Sequence, residues 1–277
     1  EQDLDAALDN VFAHSNVAPF ISKQLIQRLV TSNPSPAYVR RVSSVFNDNG
    51  QGVKGDLEAV VRAILLDSEA RGADFGSDDQ FGKLKEPVLK FTSLMRAFDV
   101  LADQPLTEDG SAVAETIRFF WPGYDYGQRP YGAPSVFNFY RPDYSPANVF
   151  GEAELDAPEF QILTEKDITA ASNWGGSIIF NSYGFLRERC EENLSFESGV
   201  GCLFARFDDE IEMARDAGDL VNHLDVLMLS GQMSDGMRDV LLEHIEPFDA
   251  EQAQERLYRV AEATYLVWMS PEFAVQR

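Results

Sequence analysis

Hydrophobic side chains recur every three to four residues along most of this chain, an interval that places them on one face of an α-helix. Over the first hundred residues the pattern predicts four helices. The first runs through PFISKQLIQRLV and is capped by Ser15 or Asn16, and the second begins at Pro36 with Ser35 as its cap. The third begins at Asp56, and the fourth extends from Glu86 to Asp103. Ser, Asn and Asp can accept hydrogen bonds from the free amides at a helix start, and proline suits the first helical position.

The helical pattern continues in the rest of the chain. It predicts a short helix through GSAVAETIRFF, one through APEFQILTEKDITAASNW behind an Asp156 cap, and three more through LVNHLDVLMLSG, SDGMRDVLLEHI behind Ser234, and AEQAQERLYRVAEATYLVWMS up to Pro271. Strand signals are few and short, and the clearest is GSIIFNSYGFL at 176–186. The sequence therefore predicts a mainly α fold, an irregular helical domain with few short strands.

Residues 119–150 break this pattern. The string FFWPGYDYGQRPYGAPSVFNFYRPDYSPANVF contains eleven aromatics and five prolines. Proline removes a backbone donor and pushes the preceding residue toward an extended conformation, so no uninterrupted helix or central strand is expected there. So many rings are not expected to be left in water, which predicts a long ordered aromatic and proline-rich loop pressed against the protein or a partner.

This loop, at 119–155, divides the predicted organisation into a helical region at 1–118 and another at 156–277. The whole chain, 1–277, is expected to form one helical domain or the carboxy-terminal portion of a larger one.

Charge narrows the classes of partner. Forty-six acidic residues against twenty-three basic ones give a formal net charge of -23. That field repels phosphate backbones and anionic membrane surfaces, so nucleic acid is not expected as a partner. No run approaches the roughly 18 apolar residues of a transmembrane helix, and no membrane span is predicted.

Several longer strings resemble a known family. They are NVAPFISKQLIQRLVTSNPSPAYVRRVSSVFNDNGQGVKGDLEAVVRAILLD, GKLKEPVLKFTSLMRAF, APSVFNFYRPDYSP with APEFQILTE, and LVWMSPEFAVQR. Together they resemble the carboxy-terminal part of the domain-of-unknown-function 1800 family, whose bacterial members are typically larger proteins with an export signal and an amino-terminal helical portion. The resemblance implies a periplasmic or extracellular location. It also implies a partner, which is either the amino-terminal portion of the same protein or a co-encoded exported protein of a sulfatase-like family.

The aromatic loop carries the candidate ligand-binding residues. Its rings offer flat apolar faces with polar tips, a combination suited to sugar rings, peptides or a protein surface. The candidates are Trp121, Tyr124, Arg129, Tyr131, Asn138, Tyr140, Arg141, Asp143 and Tyr144. A purely structural alternative is favoured, in which Phe137 and Phe139 anchor the loop in the core while Arg141 and Asp143 pair with each other.

A glycine-rich stretch between two predicted helices has the skeleton of a calcium loop. Oxygen-bearing side chains stand at loop positions one, three, five and twelve, with glycine at six. The candidate ligands are Asn47, Asn49, Gln51 and Glu58. Three of them are neutral amides, which hold a hard cation weakly, so a turn with Asp56 capping the next helix is favoured. No other cofactor is predicted.

The cysteines leave two states open. Cys190 and Cys202 enclose eleven residues, a spacing compatible with a local disulfide in an oxidising compartment or with two separate thiols. His14, His223 and His244 are far apart in the sequence and show no zinc-binding spacing.

Catalytic signatures give little direction. The run at 207–212, FDDEIE, could supply two carboxylates for glycoside cleavage, but it also suits the first turn of a helix, where negative charge complements the dipole. No nucleophile elbow, phosphate loop or dinucleotide fingerprint occurs. The favoured hypothesis is an exported binding or scaffold module that engages a protein or polysaccharide through the aromatic loop. The alternative is a cell-envelope hydrolase using paired carboxylates or a bound cation.

Overall fold

A computed structural model describes residues 2–72, 81–98, 100–102, 127–129, 131–147, 149–180 and 203–276, and the structural statements below concern those residues. The mainly α prediction is confirmed. The helices are α1 (Gln2–Ala13), α2 (Val17–Leu29), α3 (Pro36–Asn47), α4 (Leu57–Leu66), α5 (Ser68–Arg71), α6 (Pro87–Ala97), α7 (Val149–Glu152), α8 (Glu165–Phe180), α9 (Asp208–Met213), α10 (Ala217–Leu229), α11 (Asp235–Ile245), α12 (Ala253–Met269) and α13 (Pro271–Ala274), with a 3-10 turn at Pro158–Gln161.

Four two-residue strands form two antiparallel pairs. β1 (Lys83–Leu84) pairs with β4 (Val275–Gln276), and β2 (Leu101–Ala102) pairs with β3 (Leu203–Phe204). Both pairs join segments that lie far apart in the sequence. Their main effect is therefore to fasten distant parts of the chain.

The chain divides into two compact units, and each unit collects separate stretches of sequence. The first contains residues 1–84, 140–161 and 275–277, and the second contains 85–139 and 162–274. The core of the first unit lies between α2, α3 and α4. Its buried side chains are Ala18, Ile26, Tyr38, Val42, Phe46, Val60 and Ile64. The Tyr38 hydroxyl donates to the Ile64 carbonyl at 2.7 Å, and burial raises the pKa of that hydroxyl above its usual value.

The second unit is built around α12, which packs against α8, α9, α10, α11 and α13. Trp268 is fully buried near the end of α12 and contacts α8 at Gly175, where a Cβ would lie 2.0 Å from the indole Nε1. Arg259 is also buried, and its guanidinium donates to the carbonyls of Ala214 (2.7 Å), Ile245 (3.1 Å) and Phe248 (2.6 Å). These bonds satisfy backbone acceptors that helix ends would otherwise leave open.

Three predicted helix caps are confirmed. The side chains of Ser35, Asp56 and Ser234 accept hydrogen bonds from amides three residues ahead. The start of α2 differs, because Asn16 makes no side-chain cap bond and its backbone amide donates to His14 Nδ1 at 3.1 Å.

Two predicted boundaries and one predicted strand are wrong. Helix α6 ends at Ala97 instead of Asp103, because the chain turns to form β2. Asp156 does not cap a helix, since its amide and carbonyl both bond to the Asn33 side chain, and α8 begins only at Glu165. Residues 176–180 complete α8 instead of forming a strand, and this helix buries Ile178 and Ile179 in the core. Residues 110–120 and 181–186 lie outside the described residues.

Candidate functional site

The first unit contains a pocket of about 200 Å³. Its apolar walls are Phe81, Leu84, Phe150, Leu155, Phe160 and Val275, and polar groups come from Ser32, Asn33, Lys83, Asp156 and Glu159. These residues belong to all three stretches of sequence that make up the unit. The pocket is therefore a product of tertiary structure.

Strand β1 forms one wall and is positioned by the turn before it. Gly82 has a φ of 113°, a backbone conformation that other residues rarely adopt. Its amide donates to Thr31 Oγ1 at 3.0 Å, and its carbonyl accepts from the Ser32 amide at 3.0 Å. Pairing with β4 then sets Lys83 opposite Gln276. The glycine turn and the strand pair together fix the backbone that carries Lys83.

The opposite wall comes from residues 149–160. Asn33 fastens it to the helical part of the unit: its side-chain amide donates to the Asp156 carbonyl and accepts from the Asp156 amide, both at 2.9 Å. The rings of Phe150 and Phe160 lie 5.1 Å apart between centroids, tilted by 49°. This wall therefore presents two aromatic rings, and the hydrogen bonds from Asn33 fix its backbone at Asp156.

A buried ion pair lies at this pocket. Lys83 Nζ is 3.3 Å from Glu159 Oε1, and the two side chains are 0% and 2% exposed. The same Nζ donates to the Arg28 carbonyl at 2.8 Å. Two buried charges are tolerated in a low-dielectric interior when each compensates the other and further hydrogen bonds complete the arrangement. The pair provides a fixed dipole that can orient the polar end of a bound molecule.

Tyr140 ties the aromatic loop to this ion pair. The tyrosine is buried, its hydroxyl lies 3.5 Å from Glu159 Oε1, and the Arg28 guanidinium lies over its ring at 4.1 Å from the centroid. Behind it, Gln27 donates to the Pro142 carbonyl at 3.0 Å. Tyr140, one of the predicted ligand-binding residues, thus lies buried next to Glu159.

Asp156 is the second carboxylate that lines the pocket. Its Oδ2 lies 3.1 Å from the exposed Lys23 Nζ. Each of the two pocket carboxylates therefore has its own lysine: Asp156 pairs with the exposed Lys23, and Glu159 pairs with the buried Lys83.

The other candidates from the aromatic loop fall into both units. In the first unit, Arg141 and Asp143 are exposed and form a bidentate pair at 3.0 and 2.7 Å, as the structural alternative predicted. Hydrogen bonding and charge from the Arg141 guanidinium lower the pKa of the Asp143 carboxyl. Tyr144 is half-buried.

In the second unit, Arg129, Tyr131 and Asn138 are exposed, and the latter two have positive φ angles of 57° and 74°. Phe137 is 37% exposed, so the expectation that its ring anchors the loop in the core is wrong, whereas Phe139 is half-buried. Trp121, Tyr124, Cys190 and Cys202 lie outside the described residues.

The glycine-rich turn at 47–58 is closed by its own side chains. Asn49 Oδ1 accepts from the Gln51 and Val53 amides, and Asn49 Nδ2 donates to Asp56 Oδ2 at 2.7 Å. Asn47, Gln51 and Glu58 are exposed. Within the described ranges no group of three or more His, Cys, Asp or Glu side chains could hold a metal ion. Calcium at the amide ligands stays a prediction.

The acidic run at 207–212 takes the role of a helix start. Asp208, Asp209 and Glu210 form the first turn of α9. Glu210 is buried, and its Oε1 lies 3.0 Å from His223 Nε2, whereas Asp208 pairs with Arg206 at 2.6 Å.

Sequence analysis missed Lys83, Glu159, Phe150 and Phe160. None of them belongs to a spaced motif, and the signals were indirect: Lys83, Glu159 and Phe160 lie in the strings GKLKEPV and APEFQILTE of the family resemblance, and Phe150 ends the aromatic stretch at 119–150. Lys83 and Glu159 lie far apart in the sequence, a relation that local periodicity does not report.

Among the described residues no helix has both the length and the apolar character needed to cross a bilayer. No curated protein and no solved structure matches the chain. A family model matches residues 1–275, and the chain therefore belongs to the family described as protein of unknown function (DUF1800).

Proposed function

We propose that this protein is an exported binding module that engages a polysaccharide or a protein through the aromatic loop at 119–155 and the pocket beside it. The observation that supports this proposal is the aromatic-walled pocket with a fixed Lys83–Glu159 pair. Export is inferred from the family resemblance.

The pocket's size indicates a ligand group of one ring. A cavity of about 150 Å³ accepts a benzene-sized molecule, so about 200 Å³ suits a single sugar ring or one aromatic side chain. Phe150 and Phe160 offer apolar faces, and the buried ion pair offers both a donor and an acceptor for a polar substituent. A ring with a hydroxyl or amide group at one edge fits that combination.

The hydrolase alternative has one supporting observation, because Asp156 and Glu159 both line the pocket. General acid and base catalysis needs one carboxyl that gives up and takes back a proton. Each of these carboxylates is engaged in an ion pair, Asp156 with Lys23 and Glu159 with Lys83. Binding is therefore the better-supported role.

A pocket-filling variant tests the binding proposal. Leu155→Trp replaces an aliphatic side chain in the pocket with a larger aromatic one without changing charge. Leu65→Trp is the matched control on the exposed face of α4 in the same unit. Saturation-transfer NMR would measure binding of N-acetylglucosamine oligosaccharides and of N-acetylphenylalanine amide. We expect wild type and Leu65→Trp to bind one of these probes, and Leu155→Trp to lose about tenfold in affinity. Absence of transfer from both probes at millimolar concentration, or equal binding by both variants, would contradict the proposal.

A second variant separates binding from hydrolysis. Glu159→Gln keeps the side chain's shape but leaves Lys83 buried without its carboxylate, which costs stability, so binding is measured under conditions where the variant has wild-type circular dichroism. A binding module would then still hold its ligand, though more weakly. If the wild type cleaves the oligosaccharide probe, and Glu159→Gln binds it without cleaving it, the hydrolase alternative replaces the binding proposal.

A further inference from the structure

Two lysines stand close together at the start of α6 in the second unit. Lys85 precedes the helix, and Lys90 lies in its first turns. Both side chains are half-buried, so reagents in solution can still reach them. Their ammonium groups repel each other strongly enough to affect the pKa of Lys90.

Each ammonium lies over an aromatic ring. Lys85 Nζ is 3.9 Å from the centroid of Phe273, and Lys90 Nζ is 4.8 Å from that of Trp268. The two rings are neighbours, with centroids 5.5 Å apart. Trp268 is itself held by contact with Gly175 in α8. The lysines therefore share a rigid aromatic platform.

In the part of the chain that the structure describes, neither lysine forms an ion pair with a carboxylate. Within the described residues no Asp or Glu oxygen lies within 4.0 Å of either Nζ, although acidic residues outnumber basic ones by two to one in this chain. The carboxylate of Glu86, which lies next to Lys85 in the sequence, accepts from Gln128 at 2.6 Å. Two positive charges to which the described residues bring no counter-ion are available to an anionic ligand.

Desolvation lowers the pKa of both amines, and Lys90 is also affected by the charge of its neighbour. Burial lowers the pKa of Lys85 to about 8, and burial together with the Lys85 charge lowers the pKa of Lys90 to about 8. The ring faces favour the charged form and offset part of this effect. Desolvation and a neighbouring cation are the two conditions that turn a lysine into a nucleophile near neutral pH, and Lys90 meets both.

We propose that Lys90 is a nucleophilic amine that forms an imine with a small carbonyl compound bearing a carboxylate or phosphate, and that Lys85 pairs with the anionic group of that compound. In this step the neutral Nζ attacks the carbonyl carbon and a C–N bond forms. The carbonyl oxygen leaves as water with the two amine protons, and a C=N bond results. The step needs no oxidant or reductant.

Reductive trapping tests the proposal. The wild-type protein is incubated at pH 7.5 with glyoxylate or with neutral propanal, cyanoborohydride reduces any imine, and peptide mass spectrometry gives the labelled fraction at each lysine. Lys23 and Lys166 are exposed and serve as internal references. We expect glyoxylate to label Lys90 about tenfold faster than either reference, because far more of its amine is neutral. Propanal should show a smaller preference, since it has no group to pair with Lys85.

Labelling that follows exposure, with Lys23 or Lys166 ahead of Lys90, would overturn the proposal. The variant Lys85→Met tests the neighbour, and we expect it to slow the labelling of Lys90 and to abolish the preference for glyoxylate over propanal. An unchanged preference in a variant with wild-type circular dichroism would refute the role of Lys85. If that variant does not fold, the ranking of lysines in the wild type decides the question.

Discussion

Lys83 and Lys85 are two residues apart in the sequence but have opposite environments. Lys83, in the first unit, is fully buried and bound to Glu159 and to the Arg28 carbonyl. Lys85, in the second unit, is half-buried over Phe273 and has no carboxylate within 4.0 Å among the described residues.

This difference separates two uses of a desolvated charge. A lysine whose charge is compensated by the protein itself is part of the structure, and removing its partner leaves an uncompensated charge in a low-dielectric interior. A lysine whose charge is stabilised only by a ring face binds its proton less tightly than one paired with a carboxylate. More of its amine is then neutral and able to act as a nucleophile. The first arrangement suits a pocket that must keep its shape, and the second suits a site that must react or exchange its partner.

The largest effect is expected from breaking the buried pair. Lys83→Met leaves Glu159 buried without its lysine, so the free energy of unfolding should fall by about 3 to 5 kcal/mol in a urea titration. The double variant Lys83→Met/Glu159→Met should recover most of that loss, since two apolar groups fill the same space. Lys23→Met, which breaks the more exposed contact with Asp156, is the control and should cost less than about 1 kcal/mol. Equal losses for Lys23→Met and Lys83→Met would show that burial does not distinguish these pairs.

The next effect concerns the platform beneath Lys90. Gly175→Ala would place a methyl group 2.0 Å from Trp268 Nε1, and we expect a loss of about 2 kcal/mol from overpacking. Gly176→Ala is the matched control, because its nearest neighbour is a Tyr265 ring atom at 3.2 Å, and better helix propensity offsets that closer contact. Thermal unfolding of both variants measures the difference. If Gly175→Ala is as stable as Gly176→Ala, then the contact between α8 and Trp268 does not hold the ring in place.

A smaller effect should appear as a pH dependence. In the unfolded chain a lysine keeps its proton to a pKa of about 10.4, whereas Lys85 and Lys90 lose theirs near 8 when folded. Between these values the unfolded state binds more protons, so the free energy of unfolding rises with pH. After allowance for partial exposure, wild type should gain about 1 kcal/mol between pH 7 and pH 10 relative to Lys85→Met/Lys90→Met.

Lys166→Met is the control for that measurement, because Lys166 is exposed and its removal reports the effect of losing one surface lysine. Parallel slopes for wild type and the double variant in urea titrations would mean that the two amines are not desolvated.

The smallest effect is expected at the exposed pair of the aromatic loop. Arg141 and Asp143 are 64% and 62% exposed, so Arg141→Ala should leave the free energy of unfolding nearly unchanged. The same titration at high salt should leave the variant unchanged. A loss comparable with that of Lys83→Met would place Arg141 among the residues that hold the loop.

Local patterns predicted much of the fold, because the forces involved act within a few residues. Apolar spacing located the helices, and Ser35, Asp56 and Ser234 cap theirs as expected. The errors arose where a distant partner competed with local preference. Asn33 takes the backbone groups of Asp156 that a helix start would have used, and core packing keeps Ile178 and Ile179 in α8.

The candidate site was less predictable. The polar tips of its rings singled out the aromatic loop, and the structure places one of the predicted residues, Tyr140, next to Glu159, but no sequence pattern marked Lys83 or Glu159 as part of the pocket's lining. Phe150 and Phe160 lie ten residues apart without helical or strand spacing, so no period marks them as neighbours.

The sequence by itself determined the helical fold class, most helix starts, the negative net charge and the family, since each depends on composition, short-range spacing or recognisable strings. Only the tertiary structure decided which of two neighbouring lysines has a counter-ion. That outcome depends on whether a carboxylate distant in the sequence, such as Glu159, meets the amine in a water-free environment, where the strength of a charge interaction is set by burial and distance.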